Sequence, residues 1–197
     1  LHYAHFVIQY NWVIILNKKF YIFDLDGTLC DSMGLWRAET AHIDNFRDFE
    51  LMESAYIKMR EHYRNDVNLK DGVREFLEKS RDEGVKMCIA TGTRRDVADP
   101  FLQRTGIMEF MEFFIDCHEV GRFKEHPDIY LQSAERLSAD ISECAVFEDS
   151  DYSAKTAKRA GFYVVGIIDE VTCTEGDVRD FSDIAVKDWK ELNLTYV

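Results

Sequence analysis

The sequence predicts an α/β fold built on a parallel sheet with helices on both faces. Three observations carry that prediction. Short, nearly uninterrupted apolar runs alternate with amphipathic stretches, the rhythm of strands joined by crossover helices. Several runs end in polar residues, at Asp24, Thr91 and Glu148-Asp149, although a core strand has no packing reason to do so. The chain has 197 residues, 46% of them hydrophobic, which suits one domain with a real core and room for a small inserted subdomain.

The elements follow in order. "HYAHFVIQYNWVIIL" is apolar but interrupted by Gln9 and Asn11. It lacks a basic start and a small-residue cleavage site, and is shorter than the ~20 apolar residues of a membrane span. Residues 1–17 are therefore read as an extension, either an added strand or an artefact of the assigned start. "KFYIFD" is a strand, followed by a polar, aromatic-dotted helical region over 33–69. In "GVREFLEKSRDEG", Val73, Phe76, Leu77 and Ser80 fall at helical spacing and Gly84 is the expected stop. "VKMCIAT" reads as a buried strand. "RRDVADPFLQRTG" reads as helical, with Pro100 expected to start a second helix. "FFIDC" is a short strand. "PDIYLQSAERLSADI" sets Tyr130, Ala134, Leu137 and Ile141 on one helical face, with Pro127 near its start. "CAVFED" is a strand, "SDYSAKTAKRAG" a helix stopped by Gly161, "YVVGIID" a strand and "DIAV" a last short one.

The formal net charge is -13. So acidic a chain is a poor binder of nucleic acid or anionic membranes, which require basic patches. Five cysteines, an odd number with no Cys-x-x-Cys pair, read as reduced thiols in a cytoplasmic protein. Cys88 and Cys117 lie in apolar runs and read as small core residues.

A buried carboxylate is costly unless paired, hydrogen-bonded or bound to metal. Asp24 and Asp26, two apart in an extended segment, point to one side and repel, which raises one pKa unless a cation intervenes. In a parallel sheet the strands' carboxyl ends form the ligand edge, and Glu148 and Asp149 arrive there too. Such an oxygen-rich pocket suits Mg²⁺. Lys124, before the Pro127 helix, is the candidate to stabilise a phosphoryl group, with Arg122 as its rival. Thr91 would hydrogen-bond a phosphate oxygen, and Gly27 permits a sharp turn after the aspartates.

Together, "DLDGTLCDS", "IATGT", "KEHPDIYL" and "VFEDS" stand in the order of four motifs over residues 20 to about 168. The chain thereby resembles the haloacid dehalogenase (HAD) superfamily, in its phosphatase and β-phosphoglucomutase-like branch. The resemblance implies a Rossmann-like core over 18–32 and 70–197 and a small helical cap over 33–69. It implies that cap to hold two or three helices over a rather open site. It makes Asp24 the nucleophile and Asp26 the general acid/base. Thr91 and Lys124 would hold the phosphoryl group, assisted by Gly27 and Gly92, and Arg94 and Trp36 are further candidates for substrate contact. Arg94 reads first as a solvated helix start and Trp36 first as cap packing, each ahead of substrate contact. Mg²⁺ would bind Asp24, the Asp26 backbone carbonyl and Asp149, with Glu148 assisting. The implied activity is an Mg²⁺-dependent phosphatase acting on a small phosphorylated metabolite through an aspartyl-phosphate.

Two positions depart from the family's usual pattern: Glu125 stands where relatives often have proline, and Ser153 where they often have glycine. Mutase relatives carry a His where Trp36 stands, which counts against a phosphomutase, the alternative enzyme. A catalytically idle, phosphate-ligand-binding protein is the other alternative, opposed by the complete set of Asp24, Asp26, Thr91, Lys124 and Asp149. Substrate and oligomeric state are not legible.

Overall fold

The computed structural model describes residues 14–44, 49–172 and 177–193. His2, His5 and most of the extension, and Cys173, lie outside the described residues. Six parallel strands form one sheet: β2 (Phe20–Phe23), β3 (Lys86–Thr91), β4 (Phe113–Asp116), β5 (Cys144–Glu148), β6 (Tyr163–Ile167) and β7 (Ile184–Val186). Their order is β4-β3-β2-β5-β6-β7. The chain runs outward from β2 through β3 to β4, then returns to the other side of β2 to lay down β5. The β2/β5 junction is thus a switch point, where sheets of this kind open a crevice at the strand ends. Asp24 follows β2 there, and Glu148 ends β5. The described end of the N-terminal extension supplies β1 (Ile14–Ile15), which pairs in parallel with β8 (Leu192–Asn193) as a separate two-stranded sheet.

Both faces of the sheet are buried, which is why its strands read as apolar runs. Tyr21 and Phe23 point to one face and Ile22 to the other. On the first, Phe23 lies 4.5 Å from Phe147, which stacks on Trp189 at 5.6 Å between ring centres. Burying each such side chain contributes about 1.5–3 kcal/mol.

Helices α1 (Met33–Thr40) and α2 (Phe49–Asn65) lie between β2 and β3. They are followed by α3 (Val73–Asp82), α4 (Arg95–Thr105), α5 (Cys117–Val120), α6 (Asp128–Arg136) and α7 (Asp151–Arg159). Helix α3 buries Val73, Phe76, Leu77 and Ser80, the expected face. Two expectations are corrected. Pro100 starts no second helix but sits inside α4. Proline cannot donate to the carbonyl four residues back, and that carbonyl, of Asp96, instead accepts from Arg60 Nε of α2 at 3.0 Å. A side chain from a neighbouring helix thus repairs the break. The Pro127 helix also stops earlier than its periodicity suggests, because Ser138 adopts a left-handed φ of 56°, leaving Ile141 in a separate 3₁₀ turn. Among the described residues, no helix is long and apolar enough to cross a membrane. Cys30, Cys88, Cys117 and Cys144 are free and buried.

Candidate active site

The turn after β2 begins the site. Gly27 has φ 77°, the left-handed region that favours glycine. A Cβ there would lie 2.1 Å from Asp149 Oδ2, so the turn is folded directly against that carboxylate. Glycine is required twice at this point, for the backbone angle and for the close approach.

On the sheet side, the carboxylate oxygens of Asp24, Glu148 and Asp149 gather within 4.8 Å of one another. Lys124 Nζ donates to Asp24 Oδ1 and, at 2.7 Å, to Glu148 Oε1. Tyr130, on the buried face of α6, donates its hydroxyl to the same Glu148 oxygen at 2.7 Å. Asp149 accepts from Thr172 and, more weakly, from Thr28 at 3.4 Å. Thr172 also contacts Asp169, which Lys70 pairs at 2.6 Å. Burial disfavours the charge on Asp169, yet Lys70 and the Thr172 and Val171 amides together hold that carboxyl below its usual range.

These groups are nearly inaccessible: Asp24 is 6% exposed, Lys124 4%, Glu148 1% and Asp149 4%. Helix α2 runs along α4, and Trp36 of α1 and Tyr63 of α2 reach Asp26.

Three buried carboxylates thus face one ammonium. Burial pushes the Asp24 carboxyl well above its usual range; Lys124 opposes this, while Glu148, Asp149 and Asp26 reinforce it. Burial, with Glu148 alongside, pushes Asp149 up to about 7. Burial alone would neutralise Lys124, but Asp24 and Glu148 hold it charged, well above the usual lysine range. The clustered carboxyls therefore resist ionising together, a resistance that a divalent cation would relieve, and their all-oxygen donors match a hard ion. These residues fit such a cation.

Asp26 faces the other way. Its Oδ1 accepts from Ser32 Oγ at 2.5 Å, from Trp36 Nε1 at 3.0 Å and from Tyr63 OH; its Oδ2 accepts from Thr93 Oγ1 at 2.7 Å. Ser32 occupies the N-cap position of α1, yet its side chain accepts no cap bond. A serine cap is ordinarily worth about 1 kcal/mol to a helix. Here the hydroxyl serves Asp26 instead.

The remaining candidates are distributed as follows. Thr91 is fully buried at the end of β3, and its Oγ1 accepts from the Thr93 amide at 3.0 Å. Gly92 is exposed, with open space where a Cβ would stand. Trp36 joins the site through Asp26. Arg94 is engaged by Glu53 and Asp96, each at 2.9 Å, and lies over the Tyr56 ring. Arg122 is exposed, its guanidinium 3.8 Å from Asp128, and the structure brings Lys124 alone of the two cations onto the carboxylates. A third strand-end carboxylate, Asp116, has a purely structural use: it caps α5 through the His118 and Glu119 amides and accepts from the Arg95 amide.

Sequence reasoning missed Ser32, Tyr63, Thr93, Tyr130 and Thr172. Only Tyr130 left a signal, a tyrosine on an otherwise apolar buried helical face, where a phenol requires a partner.

Comparison with known proteins was made against this geometry. Residues 18–161 match the family model of the haloacid dehalogenase-like hydrolases. Over 127 residues the chain is 28% identical to validoxylamine A 7'-phosphate phosphatase of Streptomyces hygroscopicus subsp. limoneus, covering 64% of this chain and 58% of that protein. It is 26% identical over 127 residues to β-phosphoglucomutase of Bacillus subtilis, covering 64% of this chain and 53% of the relative. The match thus spans little more than half the length of these two relatives. The crystal structure of CbbY from Rhodobacter sphaeroides in complex with phosphate superposes with a TM-score of 0.72 at 17% identity, covering 87% of this chain and 95% of that one. That likeness concerns the fold.

Proposed function

The chain belongs to the haloacid dehalogenase-like hydrolases, and from that premise we propose that it is an Mg²⁺-dependent phosphatase acting on a small phosphomonoester. The observation that carries the reading is the buried cluster of Asp24, Glu148 and Asp149 around Lys124, with Asp26 held two residues from Asp24. Similarity to validoxylamine A 7'-phosphate phosphatase supports it.

In this reading Asp24 is the nucleophile. One of its oxygens forms a bond to phosphorus while the bond from phosphorus to the leaving oxygen breaks. Asp26 gives its proton to that leaving oxygen, so an alcohol departs. Asp26 then takes a proton from water, whose oxygen attacks the aspartyl-phosphate, releasing inorganic phosphate and restoring Asp24. Lys124 and Thr91, at the end of the neighbouring strand, hold the phosphoryl oxygens, with the Gly27 and Gly92 backbone beside them. Asp24, the Asp26 carbonyl and Asp149 would hold Mg²⁺, with Glu148 assisting. When bound, the ion supplies positive charge against the phosphoryl group and the carboxylates.

Similarity to β-phosphoglucomutase keeps a mutase as the second reading; Trp36, in place of the mutases' His, stands against it. The test is phosphate release from a panel of phosphomonoesters with Mg²⁺ or EDTA, for the wild type and Asp24→Asn. Release requiring both Mg²⁺ and Asp24 is expected. No release from any ester would overturn the phosphatase, and phosphoryl exchange between substrate and product would point to the mutase.

A further inference from the structure

The Asp26 carboxylate is bound by more donors than retaining one acidic side chain requires. Four reach Oδ1: the Cys30 thiol of the turn itself, at 3.9 Å, and three from the segment after it, Ser32 at the start of α1, Trp36 within α1 and Tyr63 near the end of α2. They are also linked to one another. Trp36 Nε1 lies 3.0 Å from Asp26 Oδ1 and 3.1 Å from Tyr63 OH, so its one N–H is shared between them. The Tyr63 hydroxyl accepts from Trp36 and donates its own proton to Asp26. Tyr63 is fully buried. Its ring lies 6.0 Å from Phe101 of α4, and its backbone carbonyl accepts from Arg104 of the same helix at 3.3 Å. Among the described residues, Thr93 alone binds Oδ2, at 2.7 Å.

We propose that Tyr63 and Trp36 are positioning residues for proton transfer by Asp26. With Ser32 they occupy Oδ1 with three donors, and a carboxylate oxygen so occupied has no lone pair left to carry a proton. The exchangeable proton is thereby confined to Oδ2, and the carboxyl group is fixed in one orientation by two helices that do not belong to the sheet. This inference rests on the phosphatase reading above and extends it to residues outside the four motifs.

The test compares two esters that differ in their need for a proton. An alkyl phosphate expels a strongly basic alkoxide and depends on the acid; 4-nitrophenyl phosphate expels a weakly basic phenolate and does not. The readout is kcat/KM, which covers events only as far as departure of the leaving group. General acid catalysis contributes about 10²–10⁴-fold, so Tyr63→Phe, which keeps the ring and loses one donor, should lower kcat/KM on the alkyl ester by roughly 10–100-fold. On the nitrophenyl ester the loss should be within about threefold, the leaving group needing little proton assistance. Trp36→Phe should show the same selectivity, and it carries the test should Tyr63→Phe fail to fold. Equal losses on both esters, or none on either, with an active wild type, would overturn the inference alone. A wild type inactive on both esters would overturn the phosphatase reading and this inference with it.

Discussion

Asp24 and Asp26 lie on one turn, two residues apart, yet the fold surrounds them with different physics. Asp24 joins Glu148 and Asp149 around the Lys124 ammonium, deep in the strand ends. Among the described residues, Asp26 meets neutral donors: two hydroxyls, a phenol, an indole and, at 3.9 Å, a thiol. The first arrangement crowds carboxyls that resist ionising together, as a site awaiting a cation and an anionic substrate must. The second fixes direction without adding charge, which suits a group that has to gain and lose a proton. The two neighbours also come from different parts of the chain. The ionic side is assembled by the sheet and the loop before α6, the neutral side largely by the helices inserted after β2 and by Thr93. Position along the chain thus says little about a carboxylate's task; its partners say more.

The contrast breaks most severely at Lys124. Lys124→Met leaves three buried carboxylates uncompensated, and removing one partner of a buried ion pair costs about 3–5 kcal/mol. Urea denaturation in EDTA should show that loss, with activity abolished. On the neutral side, Tyr63→Phe should cost less, about 1–2 kcal/mol, since it removes one hydrogen bond of several. Equal costs for the two variants would erase the distinction.

Gly27→Ala tests whether the turn and the cluster are one structure. An L-residue at φ 77° costs about 1–2 kcal/mol. The new Cβ would also displace Asp149, whose Oδ2 lies 2.1 Å from its ideal position. Disturbing a metal site's support commonly costs 10–100-fold in affinity, so Mg²⁺ binding measured by calorimetry should weaken by about that factor. Unchanged affinity would remove Asp149 from the proposed ligands.

The ionic side should also respond to pH, with a defined sign. Asp149 moves from an ordinary 3.8 up to about 7 in the fold. Between those values the metal-free fold binds a proton that the unfolded chain has released, so its stability falls as pH rises through that window. Mg²⁺, which needs the ionised carboxylate, should bind more tightly over the same interval and reverse the trend. Urea midpoints at pH 5 and 7, with EDTA or Mg²⁺, check both directions; a midpoint in EDTA that rises with pH would contradict the assignment.

The smallest effect belongs to His62, on the outer part of the inserted helices. Its hydrogen bond to Asp66 raises its pKa, slight burial opposes this, and Glu39 reinforces the rise. A group raised on folding stabilises fully below its unfolded value of 6.5, and that contribution is lost as pH climbs through the folded value. For so exposed a pair it amounts to at most about 1 kcal/mol. The Tm difference between the wild type and His62→Gln should therefore be measurable at pH 5.5 and vanish at pH 8.5. The neutral network at Asp26 should be unaffected.

Local chemistry alone determined much of this protein. Apolar runs, helical spacing at Val73, Phe76 and Leu77, and the glycine stops specified a parallel sheet covered by helices, because those signals act over a few residues. The carboxylates at the strand ends were legible for the same reason: a charge closing a buried run is anomalous wherever the chain goes next. Whether such a charge serves chemistry or structure was not legible. Asp116 ends its strand much as Asp24 does, yet it caps a helix. Only the tertiary structure decided that Asp24 meets Lys124, 100 residues away, that Tyr63 and Trp36 close on Asp26, and that Arg60 repairs the carbonyl freed by Pro100. Hydrogen bonds and ion pairs act over a few ångströms and need exact orientation, so the choice among many distant donors is made when helices and strands pack, not when the residues are written in order.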